Sequence, residues 1–133
     1  MHGPAPVIIQ LLGGSVLLLL VHIVAQGGFA MPERGFRWNA GPRDEWQPPR
    51  GRWAGRAQRA LANFQETYPA FIALALALAL VGKSNGEGAL GAWIWLVSRI
   101  VYLPLYLFGV PWLRSLAYGV ALAGLAMMLT ALI

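Results

Sequence analysis

The chain has 133 residues, 58% of them hydrophobic and 11% charged, with a net charge of +5 and no cysteine. Water-soluble domains carry about 25% charged residues, so the composition is that of a membrane protein, and disulfides, thiolate metal sites and cysteine nucleophiles are excluded. The positive charge is gathered in one arginine-rich stretch, which fits a membrane-flanking loop, and no nucleic-acid-binding motif accompanies it.

Four apolar stretches reach the ~20 residues that a helix needs to cross a bilayer. The first, "VIIQLLGGSVLLLLVHIVA", predicts a helix over about 7–28. A cleaved signal peptide is disfavoured there, because "MHGPAP" carries no Lys or Arg and the apolar run is longer than such peptides need. Gly13 and Gly14 are expected at helix-packing positions. His22 has no second ligand-type residue near it, so no metal site is expected.

A loop rich in Gly, Pro and Arg follows over about 29–55, holding Arg34, Arg37, Arg43, Arg50 and Arg52. "ERGFRWNA" could continue the first helix beyond the lipid, and Arg43, Arg50 and Arg52 read as topology signals. The second helix is expected over about 56–82. Its "ALALALAL" has the period of a strand, but an open strand leaves its backbone unsatisfied in lipid, and four segments are too few for a closed barrel.

The third and fourth helices are expected over about 88–108 and 112–133. "GKSNGEG" joins helices two and three, and a short turn around Gly109 to Trp112, beside Arg114, joins three and four. The positive-inside bias puts the long loop and this turn in the cytoplasm. Trp93, Trp95 and Trp112 read as interfacial anchors, and Gly119 and Gly124 as packing glycines. The expected fold class is an all-α integral membrane protein, one four-helix bundle domain over residues 1–133.

Two polar stripes interrupt the apolar pattern. Arg59, Asn63 and Glu66 stand at i, i+4, i+7 and share a face of helix two; Arg99, Tyr102 and Tyr106 stand at i, i+3, i+7 on helix three. Glu66 lies roughly 15 Å inside the start of its helix, and Arg99 about as far from the end of its own, so antiparallel neighbours bring the two to one level. An ion pair that only fixes packing is one reading, since an ionised residue at that depth needs a partner or water. The other residues extend both faces toward the loop, which describes a cleft rich in guanidinium and hydroxyl donors. A small carboxylate, a charged peptide or a phosphate would each suit it.

"RALANFQETYPAF" resembles the helix-two signature of the MAPEG family, the membrane-associated proteins in eicosanoid and glutathione metabolism: Arg59, Asn63, Glu66, Pro69 and Phe71 all match. "RIVYLPLY" is similar to the family's helix-three pattern. The resemblance covers nearly the whole chain and suggests a small bacterial-type member, with a bacterial inner membrane location. It implies a homotrimer that binds glutathione, as co-substrate, between neighbouring subunits near the cytoplasmic face. Arg59, Asn63, Glu66, Tyr102 and Tyr106 would contact glutathione, and Arg99 would brace Glu66 or join the site.

By the same resemblance, Arg114 would stabilise the thiolate that attacks a lipophilic small molecule or lipid, with Arg34 a second candidate. Its spacing from Tyr106 is one residue off the family's, and Thr67 stands where many members have an aromatic residue. The expected function is a glutathione transferase or peroxidase. The alternative is a non-catalytic MAPEG-fold protein that binds a small anionic ligand or regulates a partner. A transporter is disfavoured, because the polar residues cluster toward one side.

Overall fold

A computed structural model describes residues 3–34 and 51–133, and for 30–34 the backbone alone. Four helices follow in order: α1 (Val7–Arg34), α2 (Arg52–Leu80), α3 (Glu87–Leu107) and α4 (Pro111–Leu132). There is no strand among the described residues. The helix ends follow from local chemistry. At the start of α1, the backbone amides of Ile9 and Gln10 both donate to the carbonyl of Pro6. Pro111 opens α4, where its missing N–H and fixed φ are harmless.

Two turns close on left-handed glycines. After α2, Gly82 (φ +78°) lets the Lys83 amide reach back to the Leu78 carbonyl at 2.8 Å. After α3, Gly109 (φ +72°) lets the Val110 amide donate to Leu105 at 3.0 Å. This double-bonded stop satisfies carbonyls that would otherwise be orphaned at the helix end. "ALALALAL" is helical throughout, with Ala75 and Leu78 buried.

Three helices are long and apolar enough to cross a membrane: α1 over Val7–Phe29, α3 and α4. The exception is α2, whose first half carries Arg52, Arg56, Arg59, Asn63 and Glu66. It is held by protein rather than by hydrophobicity alone, packing on α1, α3 and α4. The most extensive pairing is α3 with α4, followed by α1 with α2, and α1 does not pack on α4.

An aromatic cluster forms the core. Phe64, Tyr68 and Phe71 from α2 surround Trp95 from α3, with Phe71 and Trp95 stacked at 3.9 Å between centroids. Trp95 is therefore a core residue and not an interfacial anchor, because it shares the buried face of α3 with Ala92, Arg99 and Tyr102. Trp93 and Trp112 are exposed.

Of the expected packing glycines, Gly124 faces Gly91 so closely that a Cβ on either would meet the other's carbonyl oxygen at 2.6 Å, and Gly14 abuts Leu96. Gly13 and Gly119 have open space around them within the protomer, and Gly91 is the partner that sequence reading missed.

Candidate functional site

The α3 stripe is buried inside the protomer. Arg99 is fully enclosed, and its Nη1 donates to the Asn63 Oδ1 of α2 at 2.8 Å. Its guanidinium carbon lies 4.1 Å from the ring centroid of Tyr102 and 5.4 Å from that of Phe64. Both contacts are attractive for a desolvated cation, which otherwise loses its hydration without compensation. Toward the α3–α4 turn the pattern repeats, with the Arg114 guanidinium 4.6 Å from the centroid of Tyr106. Tyr102 touches Tyr106 on α3 and Tyr118 on α4, with centroids 5.6 and 6.3 Å apart. Arg99, Tyr102, Tyr106, Arg114 and Tyr118 thus form one continuous cluster of cations and phenols.

The α2 stripe does not face this cluster as a whole. Asn63 is half-buried and bridges to Arg99, whereas Arg59 and Glu66 are exposed on the outer side of the helix. A Glu66–Arg99 ion pair, one of the two readings of the stripes, does not form within the protomer, although the Glu66 carboxylate still acts on the guanidinium through space; Asn63, one turn earlier, accepts its hydrogen bond. The cause is rotational. Burying Phe64, Tyr68 and Phe71 fixes which side of α2 faces the core, and at 100° per residue Arg59 and Glu66 then point outward. The single cleft expected from the two stripes is therefore split, with donors on an outer helix face and a phenol–guanidinium cluster within, joined at Asn63.

Two residues were missed by sequence reasoning. Tyr118 stands one helical turn after Arg114, a signal available in the i, i+4 spacing. Arg56 donates from Nη1 to the Leu107 carbonyl at 2.9 Å, tying α2 to the end of α3 beside Gly109. Trp53 adds to the same tie, meeting Phe108 edge-on at 5.5 Å and stacking on Phe29 of α1 at 5.9 Å. The α3–α4 turn that places Arg114 is thereby held from two sides. Arg34 ends α1, and its side chain lies outside the described residues, as do Arg37, Arg43 and Arg50.

His22 is buried inside the bundle, stacked on Phe64 at 4.8 Å. No group of acidic, histidine or cysteine side chains among the described residues could hold a metal ion.

The sequence model of the MAPEG family matches residues 9–133, covering all four helices and both stripes. The chain belongs to the MAPEG family. It is accordingly an integral membrane helical bundle of a family known for glutathione and eicosanoid metabolism. Neither the curated proteins nor the solved structures searched contain a match to this MAPEG chain.

Proposed function

We propose that this MAPEG protein is a glutathione-dependent membrane enzyme of transferase or peroxidase type, with its site completed between copies of the chain. The observation that carries the reading is the outward stripe of Arg59 and Glu66 on α2, joined through Asn63 to the Arg99–Tyr118 cluster. Ionised groups at bilayer depth need partners.

The outer face of α2 has the pattern of an assembly seam. Arg59, Ala62, Glu66, Pro69, Ala73, Leu76 and Leu80 are all exposed and alternate in spacings of three and four, the period of helices that pack on one another. Small residues along it permit close approach of backbones. A homotrimer joined along this seam would bring Arg59 and Glu66 of one copy toward the cluster of the next. The glutathione carboxylates suit the guanidinium groups, and its ammonium suits Glu66. The loop and the α3–α4 turn would face the cytoplasm, where their arginines fit the positive-inside bias.

Arg114 is the residue assigned to the thiol. A free cysteine thiol has a pKa of about 8.5, and a nearby guanidinium favours the anion. The thiol proton leaves to water, and the thiolate sulfur then bonds to the electrophilic atom of a lipophilic substrate as that atom's bond to the leaving group breaks, the leaving group keeping the electron pair. With a hydroperoxide the thiolate cleaves the O–O bond, the alcohol leaves, and a second glutathione thiol displaces hydroxide to give the disulfide. Arg34 remains a second candidate for the same task. Glutathione titrated into purified protein in detergent is expected to give saturable heat, lost in Arg59→Ala and weakened in Glu66→Gln. Well-folded protein without binding removes the site and the co-substrate together. If binding persists while Arg114→Ala leaves conjugation unchanged, or no conjugation exists, the chain is instead a non-catalytic binder of a small anion.

A further inference from the structure

The last turn of α3 is closed by one group from outside itself. A helix leaves its final four carbonyls without partners inside the helix. Here the carbonyls of Pro104, Tyr106 and Leu105 accept from the amides of Phe108, Gly109 and Val110 at 2.9, 3.1 and 3.0 Å. The fourth, that of Leu107, accepts from Nη1 of Arg56 on α2 at 2.9 Å. The turn answers three of the four, and a side chain of another helix answers the last.

Arg56 also occupies the space beside Gly109, where an added Cβ would come within 2.6 Å of its Nη2 and 2.8 Å of its Cζ. A cation at this end of α3 is favoured again by the partial negative charge of the helix terminus. Trp53, three residues earlier on α2, meets the ring of Phe108 edge-on at 5.5 Å. Leu107 and Phe108 are thus both held from α2. The glutathione reading gives Arg56 no task.

Only Phe108, Gly109 and Val110 separate α3 from α4. The two anchors of Arg114 stand on either side of Leu107. Its amide donates to the Val110 carbonyl at 3.2 Å, and its guanidinium carbon lies 4.6 Å from the ring centroid of Tyr106. Movement of the last turn of α3 would disturb both.

We propose that Arg56 is a positioning residue for Arg114. By holding the Leu107 carbonyl it fixes the last turn of α3, and so sets where the Arg114 guanidinium stands over Tyr106. It does this without touching the thiol, since Nη1 is engaged and Nη2 abuts Gly109. The effect on the thiol rests on the function proposed above, but the placement of Arg114 does not. A guanidinium held close lowers a thiol's pKa, and one that drifts lowers it less. Loss of Arg56 therefore moves the bound thiol up toward the pKa of about 8.5 of a free cysteine, and thiolate at neutral pH declines.

The test uses the full chain in lipid nanodiscs, with two variants. Arg56→Met keeps the stem and no donor; Arg56→Lys keeps the charge and one nitrogen. The Arg114 Nε–H resonance, shifted in wild type by the Tyr106 ring, is expected to move in Arg56→Met toward its place in Tyr106→Leu. In the same variant kcat at neutral pH should fall roughly tenfold, as a displacement of the thiolate profile by about one pH unit gives. KM for glutathione should stay within about twofold. Arg56→Lys should fall between the two on each reading, because it lacks the nitrogen that abuts Gly109. An Arg114 resonance unmoved in Arg56→Met overturns the proposal, since any loss of rate is then an effect of charge alone. A raised KM with kcat unchanged makes Arg56 a glutathione contact and overturns it too. If Arg56→Met does not fold, Arg56→Lys decides, and wild-type values on both readings overturn the proposal. If wild-type protein binds no glutathione, the function reading fails, and the resonance alone decides this one.

Discussion

Single hydrogen bonds carry unusual weight in this bundle because the groups they serve have lost bulk water. Among the described residues, the one side-chain hydrogen bond of Arg99 is donated to the Asn63 Oδ1 at 2.8 Å. Asn63→Ala leaves a buried cation with none and should destabilise the protein by about 2–3 kcal/mol in detergent melts. Asn63→Asp keeps an acceptor, adds the opposite charge and should lose far less. A second pair of residues is coupled at the α3–α4 turn. A Cβ on Gly109 would sit 2.6 Å from Arg56 Nη2 at a φ of +72°. Gly109→Ala should therefore both strain the backbone and push Arg56 off the Leu107 carbonyl. Each single change is expected to lower stability by about 1–2 kcal/mol, and Gly109→Ala with Arg56→Ala should lose less than the sum. Full additivity in that double-mutant cycle would show that Arg56 does not act through the turn.

At the level of elements, the α3–α4 pair is the tightest joint. Gly91 and Gly124 meet backbone to backbone, so no side chain can move aside to admit a methyl group. Gly91→Ala should force the helices apart, with about 1–3 kcal/mol or more lost in thermal unfolding. Gly119→Ala, with open space around it, is the matched control and should lie within about 0.5 kcal/mol of wild type. The same joint brings Tyr118 of α4 beside Tyr102 of α3, so the Gly91 variant should also weaken the glutathione binding proposed for that cluster. The two helix stops at Gly82 and Gly109 serve the pair by making both connections to α3 short.

For the whole molecule, the question is what covers the outer face of α2. Its exposed seam mixes small residues with Arg59 and Glu66, a surface poorly suited to lipid tails. Ala73→Trp places a large ring in the seam without touching the buried face, where Ala75 and Phe71 lie. If copies of the chain associate along this seam as proposed, native mass spectrometry is expected to show loss of that assembly with the protomer still helical. An unchanged oligomer would place the contact on another face.

Much of this protein was legible in one dimension. Apolar runs of bilayer length predict four helices, and glycines after α2 and α3 mark their stops. The charged stripe of α2 stands out because ionised residues are scarce in lipid. Periodicity also shows that Arg59, Asn63 and Glu66 share a face, since that depends only on 100° per residue. It does not say which way the face turns. That was decided by packing: Phe64, Tyr68 and Phe71 occupy the core, so Arg59 and Glu66 turn outward and Asn63, at the edge, takes Arg99. Trp95 and His22 show the same limit. Trp95 reads as an interfacial anchor and His22 as a lone histidine in sequence, and only the meeting of α1, α2 and α3 around Phe64 buries them. Composition and period determine what crosses the membrane and which residues travel together, because those are properties of one helix. Which groups become partners is a property of several helices, set by the aromatic volume that has to be buried between them.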